Sequence, residues 1–222
     1  ADPRFEGWGQ AAADAYVDSG AAPGGDGTEA RPFASLRELV ECFSLDLCED
    51  SPCIGAGAGG VTMGAGHAIV PAAQAHPVTA HLAAGAYDTG VLSIAYDVAL
   101  AGAGADVTVV RGSLWGLGAG RAAEDLTITD GTARLLVAYG DAVVRRCVFS
   151  ASRPVAYDTD IGIQVAVHVT GGSLTVADCR FTDNDLWALS FDGAACAIER
   201  CRFERNRGGS VSLANGDVRL AD

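Results

Sequence analysis

The feature that most constrains this chain is a repeat in its second half. Val143-Val144-Arg145-Arg146-Cys147-Val148-Phe149, Thr175-Val176-Ala177-Asp178-Cys179-Arg180-Phe181 and Ala197-Ile198-Glu199-Arg200-Cys201-Arg202-Phe203 align without gaps. The first two cysteines are 32 residues apart and the next two 22. A further copy starts at Val218, because Leu220 follows Ile198 by 22, and a cysteine-free copy covers Leu126–Asp130. A period near 22 fits one turn of a parallel β-solenoid, whose turns stack about 4.8 Å apart and bring equivalent residues into columns. The expected inward columns are Val144/Val176/Ile198/Leu220, Cys147/Cys179/Cys201 and Phe149/Phe181/Phe203, with Val148, Arg180 and Arg202 pointing outward. Arg146, Asp178, Arg200 and Asp222 form a column of alternating charge, which would oppose a shifted register. The longer 32-residue step predicts a loop protruding within residues 152–163.

The N-terminal third reads differently. A short strand at Tyr16-Val17-Asp18 leads into the glycine-rich turn Gly24–Thr28. Ser35 with Glu38 then forms a capping box for a short helix with Leu36, Leu39, Val40 and Phe43 on its apolar face. A solenoid needs such a cover over its first coil. The segment from His81 to Tyr87 is the expected first full coil, continued by Val91–Ile94 and Val98–Leu100. The organisation is therefore residues 1–15 as an N-terminal tail or expression remnant, 16–77 as a cap with a short helix and a Cys/Gly-rich loop, and 78–222 as β-helix coils. The last copy breaks off at the position of its cysteine, so the chain is expected to be a truncated piece of a longer protein.

Composition narrows the partners. The formal net charge is −13, and all 15 basic side chains are arginine. That balance opposes nucleic acid and disfavours anionic polysaccharides or membranes. No apolar run approaches the roughly 20 residues that span a bilayer, so no membrane insertion of this segment is expected. Seven cysteines cannot all pair within the chain. Cys42, Cys48 and Cys53 lie close together and are disulfide candidates, which would imply an oxidising compartment. Cys147, Cys179, Cys196 and Cys201 read as small buried hydrophobes. The Gly55–Gly60 run matches a dinucleotide fingerprint but follows no buried strand, and reads as a flexible insertion.

The Gly27-Thr28 and Pro32-Phe33-Ala34-Ser35-Leu36 cap, the Leu82–Tyr87 element and the later repeats resemble the pectin-lyase-like superfamily of right-handed parallel β-helices. Phe181-Thr182-Asp183-Asn184 and Phe203-Glu204-Arg205-Asn206, with Gly208-Gly209, resemble the repeats of chlamydial polymorphic outer-membrane adhesins. The resemblance implies an all-β, single-stranded right-handed parallel β-helix with a short N-terminal capping helix. The superfamily holds lyases, hydrolases, epimerases and non-catalytic adhesins, so fold alone does not choose among them. Lyases of this shape use a basic residue, often with calcium; lysine is absent here, which leaves arginine. Hydrolases of this shape need paired carboxylates.

The catalytic candidates are Asp158, Asp160, Asp183, Asp185 and His168. Asp183 and Asp185 are also calcium candidates, since hard cations take several oxygen ligands. His168 sits in the alternating run Val165–Thr170 with the outward parity of Ala166 and Thr170, and is expected to be an ordinary exposed strand residue. No cofactor other than calcium is implied. Contact candidates are Trp187, Arg180, Arg202 and Arg205, because aromatics and arginine dominate recognition surfaces. The expectation is a non-catalytic extracellular, cell-surface or periplasmic module for adhesion or for carbohydrate or protein binding. The alternative is a polysaccharide-active lyase or glycoside hydrolase. End-to-end self-association of open coils is a further expectation.

Overall fold

The computed structural model describes residues 13–43, 78–94, 98–118, 120–154, 164–193 and 195–221. The chain is a right-handed parallel β-helix of about six turns. Strand β1 (Ala13–Val17) and helix α1 (Leu36–Phe43) form the cap. The first coils are β2 (Val78–Leu82) with β3 (Gly85–Ser93), and β4 (Val98–Gly102) with β5 (Thr108–Leu117). The third is β6 (Arg121–Glu124), β7 (Thr127–Thr129) and β8 (Arg134–Tyr139); the fourth is β9 (Ala142–Arg145), β10 (Val148–Ser150) and β11 (Val165–Thr170). The fifth is β12 (Ser173–Ala177), β13 (Arg180–Thr182) and β14 (Trp187–Asp192), and the sixth is β15 (Ala195–Glu199), β16 (Arg202–Glu204) and β17 (Val211–Ala214); β18 (Asp217–Ala221) follows.

An eight-stranded and a ten-stranded parallel sheet result, and the two halves of the larger one, joined through β5, are called the second and third sheets. The first runs β1-β2-β4-β6-β9-β12-β15-β18. The second stacks β7, β10, β13 and β16 on the early part of β5, and the third stacks β8, β11, β14 and β17 on its later part. The predicted columns are the observed register. Val144, Val176, Ile198 and Leu220 align, as do Phe149, Phe181 and Phe203. The three rings stack with centroids 5.0 Å apart at each step. Leu220 is 72% exposed, on β18, the outermost described strand of the first sheet. Residues 151–164 separate β10 from β11 while residues 183–186 separate β13 from β14, so the extra length falls where the 32-residue step predicted.

The second sheet owes its shortness to its corners. Asp125, Arg146, Asp178 and Arg200 stand two residues before its strands, and Asp130, Ala151, Asp183 and Arg205 just after; all eight have φ between 49° and 56°. Each three-residue strand is thus bracketed by two left-handed residues, which turn the chain sharply on both sides. The alternating charges sit on these corners. Arg146 holds Asp125 with Nε–Oδ1 and Nη2–Oδ2 distances of 2.7 Å, and Arg200 holds Asp178 at 2.6 and 2.8 Å. The expected column is therefore real and begins a rung earlier, at Asp125; Asp222 lies outside the described residues.

Behind the second sheet's corner, buried Asn184 closes the turn. Its Nδ2 donates to the Phe149 carbonyl at 3.1 Å and to Asn206 Oδ1 at 2.8 Å, and its Oδ1 accepts from Ser152 N–H at 3.1 Å. This is the physical content of the Phe-x-x-Asn repeat: the amide satisfies backbone groups that the corner leaves unpaired. Cys147, Cys179 and Cys201 are free thiols that donate to carbonyls two residues back, at 3.2–3.3 Å. Hydrogen bonding with the Cys147 thiol, then burial, pushes Cys179 up to about 12, so it stays protonated. The capping box forms as expected: Glu38 N–H donates to Ser35 Oγ, and Glu38 reaches back to Ala34 N–H. Leu36 and Leu39 are buried beneath it.

Candidate functional site

The third sheet departs from a simple inside-out alternation. Its strands read Arg-Leu-Leu-Val-Ala-Tyr, Val-Ala-Val-His-Val-Thr and Trp-Ala-Leu-Ser-Phe-Asp, nearly continuous apolar runs, and such runs mark strands buried on both sides. Leu136, Val167 and Leu189 join the core. Between them and the next inward residues lie Val137, His168 and Ser190, which take the outer side. These three are in register with one another and with Trp115 of β5. Val137 is 1% exposed, so the row is buried along its length beside Leu136, Val167 and Leu189.

The row carries polar atoms that have nothing to bond. Trp115 Nε1, His168 Nδ1 and Ser190 Oγ are buried and have no hydrogen-bond partner among the described residues. Folded proteins rarely leave such atoms unmatched, and each costs about 1–3 kcal/mol in desolvation. His168 is only 8% exposed and Ser190 1%. This corrects the expectation of an ordinary exposed strand histidine: its parity is outward, but at this row the outer side is covered, and it opens at the next row. Burial, reinforced by the charge of Arg134 and opposed by Asp192, holds the His168 pKa below its usual value, so the imidazole is neutral at pH 7. Its other nitrogen, Nε2, lies 3.2 Å from Thr170 Oγ1. The next outward row, Tyr139, Thr170 and Asp192, is solvent-exposed and in register, so an aromatic ring borders the polar row.

The other sequence candidates lie elsewhere. Asp158 and Asp160 fall outside the described residues, as do Cys48, Cys53 and the Gly55–Gly66 insertion, and Cys42 lies in α1. Asp183 and Asp185 do not converge on a shared cation. Arg205 grips Asp183, with Nη2–Oδ2 at 2.7 Å, and Arg207 lies 3.0 Å from Asp185. The Arg205 hydrogen bond, with help from Thr182, pulls Asp183 down to about 2. Among the described residues no three His, Cys, Asp or Glu side chains gather as a metal site. Arg180 and Arg202 are exposed and in register on the outer side of the second sheet, not on the third. Trp187 opens β14 at the corner, 40% exposed; its ring lies where a side chain on Gly209 would have to go. Of the named candidates, only His168 enters the polar row.

A concavity lies beside the cap and was not foreseen. Residues Tyr16–Asp18, Leu82, Ala83 and Ala101–Ala103, with His81, Glu29 and Pro32, line a cleft of about 350 Å³. His81 stacks on Tyr16 at 5.1 Å, and its Nε2 lies 2.7 Å from Asp14 Oδ1. The pairing comes from the β1–β2 register, which no residue spacing in the sequence announces.

No family model matches the sequence, and no curated protein matches it. Among solved structures, the chain is similar to pectin methylesterase PemA from Erwinia chrysanthemi, at 12% identity and a TM-score of 0.47, over 86% of this chain and 56% of that one. It is also similar to a pectin methylesterase in complex with hexasaccharide VII (12% identity, TM-score 0.48, 96% of this chain and 67% of that one). Pectin methylesterase from carrot shows the same level of likeness, with 12% identity, a TM-score of 0.47, and coverage of 96% and 65%. The chain thus spans little more than half the length of the first of these proteins.

Proposed function

We propose that this chain is a non-catalytic extracellular β-helix module that binds carbohydrate on the outer side of its third sheet. One observation carries the reading: three buried polar atoms without partners, on Trp115, His168 and Ser190, lie in a single register row beside the ring of Tyr139. Sugar rings present hydroxyls for such atoms and apolar faces for aromatic rings, which is how ligand sites combine apolar walls with a few placed polar groups. Turnover is no part of the proposal. No carboxylate is hydrogen-bonded to His168 among the described residues, and its hydroxyl partner is Thr170. No helix among the described residues is long and apolar enough to cross a membrane.

The test is glycan binding by titration calorimetry, with and without calcium, on the parent chain and on Ser190→Ala and Trp115→Phe. Each substitution removes one unmatched polar atom and keeps the bulk of the side chain. Each should weaken binding about 5- to 10-fold, the worth of one hydrogen bond of about 1–1.5 kcal/mol. Neither should destabilise the free protein, because no internal bond is lost. Unchanged affinity, or destabilisation without a binding effect, would refute the assignment.

A further inference from the structure

The charges around the row bear on which sugars it accepts. The row itself holds a tryptophan, a valine, a neutral histidine and a serine, and so carries no charge. The charged groups that act on His168 are Arg134 and Asp192, of opposite sign. Arg134 is not free, since it is engaged elsewhere in the described structure. Seven further arginines of the coils pair with acids: Arg111 with Asp88, Arg145 and Arg146 with Glu124, Arg153 with Asp130, Arg200 with Asp178, Arg205 with Asp183 and Arg207 with Asp185. Arg180 and Arg202 stand on β13 and β16, on the other side of β5 from the row's strands β8, β11 and β14. A carboxylate or sulfate brought to this row would lose its hydration without gaining a free cation, which is costly. A hydroxyl loses less and is met by the three unmatched atoms. The overall charge of −13 opposes an anionic polymer at longer range.

Resting on the carbohydrate-binding reading, we propose that the Trp115–His168–Ser190 row selects an uncharged, hydroxyl-bearing sugar over a uronate or sulfated one, and that His168 must be neutral for the site to bind. Protonation of His168 would place a second positive charge near Arg134 in a buried setting, with the exposed Asp192 as the opposing charge. It would also turn Nδ1 from a group able to accept a sugar hydroxyl into an obligatory donor. Val137 and Ser190, its in-register neighbours, and Thr170 beside it carry no charge, and Tyr139 lies in the bordering row.

The experiment titrates the full chain with neutral tetraoses of glucose, galactose and mannose and with tetragalacturonate, in a pH series descending from 7.5. At least one neutral tetraose should bind ten-fold or more tightly than tetragalacturonate. Its affinity should fall several-fold as the pH is lowered from 7.5 through the His168 titration, which burial holds below the usual range, and His168→Gln, checked for folding by circular dichroism, should abolish that fall. Tighter binding of tetragalacturonate, or a pH dependence that survives His168→Gln, would overturn this inference and leave carbohydrate binding standing. Binding of none of the four would overturn both.

Discussion

The stacked phenylalanines allow the solenoid's energetics to be tested rung by rung. Phe181 is fully buried between Phe149 and Phe203, each ring centroid 5.0 Å away, with interplanar angles of 15° and 7°. That spacing falls in the offset-stacked range, where a pair contributes about 0.5–1.5 kcal/mol beyond its buried area. Replacing Phe181 by leucine keeps most of the apolar volume and removes both ring contacts. The expected cost is about 1–3 kcal/mol from the rings. Phe203 is only partly buried and has one ring neighbour, so Phe203→Leu should cost about half as much. The sharper measurement is a pair of double-mutant cycles followed by urea unfolding. Phe149 and Phe181 should be coupled by about 0.5–1.5 kcal/mol. Phe149 and Phe203, two rungs apart, should be additive to within about 0.3–0.5 kcal/mol. Equal coupling in both cycles would refute nearest-neighbour stacking as the source of this stability, as would a Phe203→Leu cost matching that of Phe181→Leu.

Other expectations follow from the corners. Asn184→Ala strips the Phe149 carbonyl and the Ser152 N–H of their partner in a buried turn, and should cost about 2–4 kcal/mol by the same unfolding assay. Ala151 has φ 53°, a conformation that favours glycine, so Ala151→Gly should stabilise by about 0.5–1 kcal/mol, whereas an ordinary surface Ala→Gly destabilises. Asp183 is held near 2 against an ordinary 3.8. Its folded pKa is depressed, so its contribution to stability is present above pH 3.8 and is lost as pH falls toward 2; Arg205→Ala should return its carbon-13 titration midpoint toward 3.8, and an unmoved midpoint would disprove the assignment to Arg205.

The columns were legible because a solenoid converts sequence period into spatial contact: letters 22 apart become neighbours. That one rule yields Cys201 beside Cys179, Phe203 over Phe181 and Arg200 beside Asp178. The site was not legible in the same way. The outward parity of His168 was right, but parity gives direction and not burial. The signal was present in the neighbours. Ala166 and Ala188 share the parity of His168 and Ser190 and are apolar and fully buried, and the nearly continuous apolar letters of β8, β11 and β14 mark burial on both sides. Trp115 was invisible for another reason. It stands one 22-residue period before Val137, but β5 precedes the recognisable repeat copies, which begin at Leu126, so no matching letters marked its column. The His81–Asp14 pair joins residues 67 apart through the cap, where no repeat exists.

This division of labour explains how the chain can tolerate its unmatched row. Inward columns and left-handed corners define the coil, and neither uses the outer side of the third sheet. A buried polar atom without a partner costs about 1–3 kcal/mol wherever it lies. Within an inward column it would also break the stacking of the rungs above and below. On the outer side it disturbs nothing that sets the register. Trp115, His168 and Ser190 therefore occupy the positions where unmet hydrogen-bonding capacity costs the fold least, and a ligand that fills them recovers that capacity as binding free energy.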